Sequence, residues 1–286
     1  MTRHPALAPG RTPRSIDGYV ASWFGPEASD TPVGHWVYRA PRSGPSVVVI
    51  HEVTGLTRKT LGVAARVRGA GMTPVLPLLV GNAIPDGRAA MGNLARVCVR
   101  REFGALANGE ATPTAAWLRA LARHEKLESG GLPVGVIGMC FSGGLAFAMA
   151  LDDSIKAVVS SQPAFPAAMG RRRRQFGINQ ADLATLKANT EDGACVRTLR
   201  YQRDFMSPGV RHDAIGKALP GLHPIEIRTW NPLDHPVLSD AVTADPDSEL
   251  GKALTDTVAF LRVRLAVESV DVGTDPGTGQ AREPRA

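Results

Sequence analysis

The sequence predicts an α/β fold, an open and mainly parallel sheet with helices on both faces, and three observations carry the prediction. Short β-branched apolar runs alternate with segments of helical period. The strongest run, Ser46-Val47-Val48-Val49-Ile50, lacks the polar alternation of a half-exposed strand and reads as a strand buried on both faces. A chain of 286 residues, 43% of them hydrophobic, can bury one large core as a single domain.

In chain order, residues 1–32 are rich in Pro, Gly, Arg and Asp without a sustained period and are expected to be a flexible segment. The folded domain is expected over 33–266, with a disordered tail over 267–286. Within the domain, strands are expected at 46–50, Pro74–Leu76, Val134–Ile137, Ala157–Val159, Val196–Tyr201 and Pro224–Thr229. Apolar residues at helical spacing mark helices from near Lys59 to Gly69, Thr114 to Arg123, Phe141 to Leu151 and Glu249 to Leu265.

The formal charge of +6 does not single out an anionic polymer as partner, because the basic residues are scattered apart from Arg171–Arg174 and a few near the N-terminus. No zinc-finger spacing or aromatic-interleaved basic stripe accompanies them, so nucleic acid is not an expected partner. Three cysteines, Cys98, Cys140 and Cys195, make no disulfide framework and fit a reducing compartment. The N-terminus lacks the apolar stretch of a signal peptide, and no apolar run approaches the roughly 20 residues of a membrane helix. A cytoplasmic protein without membrane attachment is expected.

Functional groups in such sheets gather in the loops that follow the strands. After the Val134 strand comes Gly138-Met139-Cys140-Phe141-Ser142-Gly143-Gly144, and then the apolar run Leu145 to Ala150. Strand, tight turn and helix are the parts of a nucleophile elbow, in which small residues two before and two after the nucleophile relieve crowding. Gly138 and Ser142 stand there, and Cys140 at the start of a helix would have its thiolate favoured by the helix dipole. Ser142 is the weaker nucleophile candidate, having Cys140 instead of glycine two positions earlier and lying a turn into the helix. Cys98 and Cys195 read as buried structural cysteines.

The chain order of the architecture is nucleophile, acid, histidine, each on its own loop. Asp204 follows the strand ending at Tyr201, and His235 follows the strand ending near Thr229. A histidine there takes or shares the thiol proton, and an aspartate on its other nitrogen holds the tautomer. His212 with Asp213 reads as a surface pair, and Asp234 is a fallback acid whose adjacency to His235 hinders pairing. After the first long strand, His51-Glu52-Val53-Thr54-Gly55 occupies the loop that donates an oxyanion-hole amide, so the backbone N–H groups of Val53 and Phe141 are the oxyanion candidates. Glu52 at such a mouth either faces water or meets an ionisable partner.

Together, His51-Glu52-Val53-Thr54-Gly55, Gly138-Met139-Cys140-Phe141-Ser142-Gly143, the Asp204 segment and Asp234-His235 resemble the dienelactone hydrolase family, from about Val33 to Leu265. The resemblance implies the α/β-hydrolase fold and a triad of Cys140, Asp204 and His235. It also implies that Glu52 contacts the resting thiol, keeps it protonated, and takes up its proton when substrate arrives. Where founding members place an arginine for a substrate carboxylate, four residues after the histidine, this chain has Ser239, which argues against a dienelactone bearing a free carboxylate.

Residues 164–192 form a candidate lid, with an amphipathic helix near Asn179–Lys187; Arg171–Arg174 within it read as a solvated face, the alternative being that they replace the missing arginine clamp on substrate. The expected reaction is acyl transfer on a small-molecule ester or lactone through a thioester, with no cofactor and no metal, by a monomer or small homo-oligomer. The competing reading is a catalytically idle hydrolase-fold protein that binds a small molecule. A thiol redox sensor is disfavoured, because no Cys-x-x-Cys spacing supplies a resolving partner.

Overall fold

Val47 to Ile50 are branched at Cβ, suit extended backbone, and offer no polar group to either face, so such a strand is stable only between other strands and under helices on both sides. In a computed structural model, which describes residues 12–84, 105, 110, 112–165 and 170–267, Ser46–Ile50 is wholly buried. The strands are β1 (Val20–Phe24), β2 (His35–Arg39), β3 (Ser46–Ile50), β4 (Thr73–Leu78), β5 (Val134–Met139), β6 (Ile155–Ser161), β7 (Val196–Tyr201) and β8 (His223–Ile227). They form one sheet in the order β1-β2-β4-β3-β5-β6-β7-β8 among the described residues. Pairings from β4 through β8 are parallel, whereas β2 runs antiparallel to both its neighbours.

The helices are α1 (Pro26–Ser29), α2 (Arg58–Gly69), α3 (Pro113–Glu128), α4 (Gly143–Met149), α5 (Leu183–Asn189), α6 (Gly209–Ala218), α7 (Val237–Ala241) and α8 (Glu249–Arg264). Successive strand residues point to opposite faces, so each buried strand feeds two cores. Val48, Ile50 and Val136 join Trp117, Leu118 and Leu121 of α3 and Phe147 of α4. Val47, Val49 and Ile137 join Val63 and Val67 of α2 and Leu254 and Leu261 of α8. The long helices begin where a side chain accepts an otherwise orphaned backbone N–H: Thr57 from Thr60, Thr112 from Ala115, and Ser248 from Gly251.

The six expected strands all lie on observed ones, but β1 and β2 were not foreseen. Val20–Phe24, expected within a flexible segment, forms a hairpin strand on β2, with Trp23 opposite Trp36 and their rings edge-on at 5.8 Å. Its other tether is tertiary: the Trp117 indole N–H donates to the Phe24 carbonyl at 2.9 Å. Residues 1–11 and 268–286, the rest of the two expected tails, lie outside the described residues. The helix expected near Asn179–Lys187 starts later, at Leu183. No described helix is long and apolar enough to cross a membrane.

Candidate active site

The loops after β3, β5, β6, β7 and β8 meet over the carboxyl end of the sheet, and Cys140 stands at the end of its central strand. Cys140 has φ +61°, a left-handed conformation uncommon for a residue with a side chain, at the turn from β5 into the next helix. Gly138 is required by the close approach of that turn: a Cβ there would lie 2.2 Å from the Ser142 carbonyl oxygen. Gly143 is required on the other side, where a Cβ would lie 2.8 Å from the Pro163 Cα. The helix expected from Phe141 begins with one 3₁₀ turn, Cys140–Ser142, before α4.

Ser142 is a brace. Its Oγ accepts the Met139 N–H at 2.8 Å and lies 3.1 Å from the carbonyl oxygens of Ile50 and His51, to which its proton can be donated. The hydroxyl that competes with Cys140 in the sequence instead ties the elbow to the end of β3 and the loop after it. On the opposite side, the Ala164 N–H donates to the Cys140 carbonyl at 3.0 Å. The thiol itself is 8% exposed and unpaired by any disulfide.

His235 and Asp204, 31 residues apart, are brought together with Nδ1 and Oδ2 at 2.6 Å. Asp204 is held in turn by its other oxygen, which accepts the N–H groups of Met206 at 2.8 Å and Ser207 at 3.0 Å. Burial opposes charge on the His235 ring, but its bond to Asp204 and the neighbouring Cys140 thiol outweigh burial and raise its pKa well above the ordinary imidazole value. The remaining ring nitrogen, Nε2, is buried and has no hydrogen-bond partner of normal geometry among the described residues, so it is the atom open to a reacting proton.

The competing candidates have other attachments. Asp234 accepts from the Asn231 side-chain amide at 2.9 Å and closely from the Thr229 hydroxyl, bracing its own turn. His212 corrects the expectation of a surface residue: on α6 it is half-buried, with Nε2 3.0 Å from the Ser207 hydroxyl. Burial and the guanidinium groups of Arg200 and Arg211 lower its pKa to about 3. Its neighbour Asp213 is exposed.

Glu52 is buried and does not face water. Its Oε1 accepts the Gln162 side-chain amide at 3.1 Å. Burial pushes its pKa up to about 6, against the opposing influence of His235 and the Ser239 hydroxyl. His51 beside it accepts the Leu79 N–H on Nε2 at 3.0 Å, so its own proton sits on Nδ1 and is donated to the Glu52 carbonyl at 2.6 Å. Burial lowers the His51 pKa to about 4 and keeps the ring neutral. Val53 lies in the turn closed by the Gly55 N–H on the Glu52 carbonyl, and the Phe141 ring packs 6.1 Å from that of His51.

Two residues of this region carry no sequence signal. Gln162 follows β6 as one more polar residue after Ser160 and Ser161, and Arg211 resembles any helical arginine. Yet Arg211 is fully buried, over the Phe165 ring, and donates to the carbonyls of Pro163 (2.7 Å), Gln175 (2.7 Å) and Met206 (2.9 Å). It thereby joins the loops after β6 and β7. Of the expected lid, Phe165 and Phe176 pack on α4, Arg172 to Arg174 are exposed, and 166–169 lie outside the described residues. Cys195 is buried and free; Cys98 lies outside the described residues. Among the described residues, no group of His, Cys, Asp and Glu is clustered to hold a metal ion.

Residues 35–180 match the profile of the dienelactone hydrolase family. No curated protein matches the chain. A Klebsiella pneumoniae protein assigned as a dienelactone hydrolase is similar in structure, with a TM-score of 0.56 and 14% identity, over 88% of this chain and 100% of its own. The dienelactone hydrolase of Anabaena variabilis follows with a TM-score of 0.52 and 15% identity, over 86% of this chain and 97% of its own. A cold-adapted esterase from an Arctic intertidal metagenomic library has a TM-score of 0.53 and 15% identity, over 91% of this chain and 100% of its own. At these identities the likeness establishes the α/β-hydrolase fold.

Proposed function

Because the chain belongs to the dienelactone hydrolase family, we propose that it hydrolyses a small carboxylic ester or lactone through a triad of Cys140, His235 and Asp204. The observation that carries the reading is the meeting of three loops: a cysteine on a left-handed elbow turn, beside a histidine whose far nitrogen is bonded to a buried aspartate at 2.6 Å.

The thiol proton passes to Glu52 and the thiolate attacks the carbonyl carbon, with the oxyanion received by the backbone N–H groups of Val53 and Phe141. Protonated His235 gives its Nε2 proton to the leaving alkoxide as the thioester forms. Neutral His235 then takes a proton from water, whose oxygen attacks the thioester and releases the acid and the thiolate. The proton held by Glu52 returns to sulfur, which restores the resting state. Asp204 keeps the His235 proton pattern and stabilises the cationic ring.

Ser239 bears no charge, and its hydroxyl donates to the Met139 sulfur at 4.0 Å. We therefore take the substrate to be an ester or lactone without a free carboxylate at that place, acted on by a monomer or small homo-oligomer in the cytoplasm.

The test is hydrolysis of short-chain aryl esters and unsaturated lactones by the wild type and Cys140→Ala, with the intact mass read after acid quenching during turnover. The expected result is an acyl adduct on the wild type and a loss of about a thousandfold or more in the variant. Turnover retained by Cys140→Ala would overturn the reading. A folded wild type without turnover or adduct would favour an idle hydrolase fold that binds a small molecule.

A further inference from the structure

Gln162 is the first residue after β6, and its backbone has φ +35°, a left-handed conformation that residues with side chains rarely adopt. Such strain persists only where the surroundings over-determine it, and here they do. The Gln162 N–H donates to the Leu199 carbonyl at 2.6 Å. The next carbonyl, that of Pro163, is held by Arg211, and the Ala164 N–H is bonded to the elbow at the Cys140 carbonyl. A fully buried glutamine is thus held rigidly between the elbow, β7 and α6.

Its side chain is fixed at both ends. The Ser161 hydroxyl donates closely to the amide oxygen, so the NH₂ group must face the other way, where it donates to Glu52 Oε1 at 3.1 Å. An amide adds no charge, but a hydrogen bond given to a carboxylate favours the ionised form. The other groups acting on Glu52 are His235 and Ser239 on the loop after β8 and α7, Asp240 on α7, and Lys59 on α2. Lys59 and Asp240 are paired at 2.6 Å and largely offset each other. Cys140 neighbours His235, and His51 is neutral. Gln162 is the uncharged donor whose hydrogen bond to the Glu52 carboxylate is seen directly.

We propose that Gln162 is a positioning residue that holds Glu52 as a carboxylate and so keeps Cys140 a protonated, quiet thiol at rest. The inference rests on the proposed proton transfer from Cys140 to Glu52. That transfer moves one proton from sulfur to a carboxylate oxygen, and it becomes easier as Glu52 becomes more basic. Loss of the Gln162 donor makes Glu52 more basic, so the resting thiol should leak toward thiolate.

The test is the rate at which iodoacetamide alkylates Cys140 at pH 7, read by mass spectrometry of the Cys140 peptide, which requires no substrate. Gln162→Met fills nearly the same space without the amide. It is expected to raise the rate several-fold, up to about the tenfold that one pKa unit carries. Ser161→Ala frees the amide to turn and is expected to act in the same direction with smaller size.

Glu52→Gln serves as the control against simple loosening of the loop: Gln162→Met added to Glu52→Gln should leave the rate of Glu52→Gln unchanged. The proposal is overturned if Gln162→Met alkylates no faster than the wild type, or if its acceleration survives in the Glu52→Gln background. Should Gln162→Met fail to fold, Ser161→Ala decides by the same two criteria. Failure of the hydrolase reading is seen separately, as turnover that persists in Cys140→Ala.

Discussion

The centre and the edge of the sheet contribute to the candidate site in different ways. β5, which ends at Cys140, has all six residues buried and a partner strand on each side. β8, which leads to His235, pairs among the described residues only with β7 and is exposed along most of its length. The loops beside it carry exposed apolar side chains, with Phe205 at 59%, Leu233 at 69% and Trp230 at 85% exposure. Cys140 is therefore located by packing, whereas Asp204 and His235 are located by hydrogen bonds within short loops. A defect at the centre should cost the fold, and a defect at the edge should cost orientation.

The largest expected effect tests the edge. Asp204→Asn keeps the volume but presents the wrong proton pattern to His235, and should lower kcat by about a thousandfold or more with little change in urea stability. If steady-state kinetics showed more than a tenth of wild-type turnover, Asp204 would not be the orienting acid.

The second tests the centre. Gly138→Ala forces a Cβ to within 2.2 Å of the Ser142 carbonyl, backbone that cannot yield without moving the elbow. A loss of more than about 3 kcal/mol in unfolding free energy is expected. A variant as stable as the wild type would show that the elbow is less tightly packed than its geometry implies.

The third uses pH to weigh the centre again. The folded-state pKa of His51 is lowered from 6.5 to about 4, so between those values the unfolded chain binds a proton that the folded chain refuses. The stability this gives is present above pH 6.5 and is lost as pH falls toward 4. Glu52, raised to about 6, acts oppositely between about 6 and its ordinary 4.5. Because Glu52 is present in both proteins, it drops out of a comparison with His51→Gln, whose stability loss from pH 6.5 to 4 should be smaller by about 3 kcal/mol. Equal losses of unfolding free energy in the two proteins, from urea titrations at the two pH values, would remove His51 from the account.

The smallest returns to the edge. Asp234→Ala removes the acceptor for Thr229 and Asn231, loosening the turn without touching His235 Nδ1. Stability should fall by about 1 kcal/mol and kcat by less than tenfold. A loss as large as that of Asp204→Asn would transfer the acid's role to Asp234.

What was legible in the chain follows the same division. The inner strands β3 to β6 stand out because their residues are buried and largely apolar in succession, whereas β8, also expected, is an edge strand exposed along most of its length. β1 and β2 do not stand out, since residues such as Val20, Ser22 and Trp36 are only partly covered and their pairing depends on each other and on Trp117. Cys140 was visible because an elbow demands small residues at fixed offsets. Gln162 and Arg211 were invisible because their importance lies in what they bond across the fold, at separations of 110 residues to Glu52 and 48 to Pro163.

The sequence by itself therefore determined the class of fold, the buried strands, the elbow and the loops that supply Asp204, His235 and Glu52, because period and local turn chemistry are properties of neighbouring residues. Only the tertiary structure decided that His212 is half-buried on Ser207, that Asp234 braces its own turn, and that Glu52 lies buried against Gln162. Burial and hydrogen-bond partners across the sheet are set by which strands come to lie side by side, and no local pattern records that order.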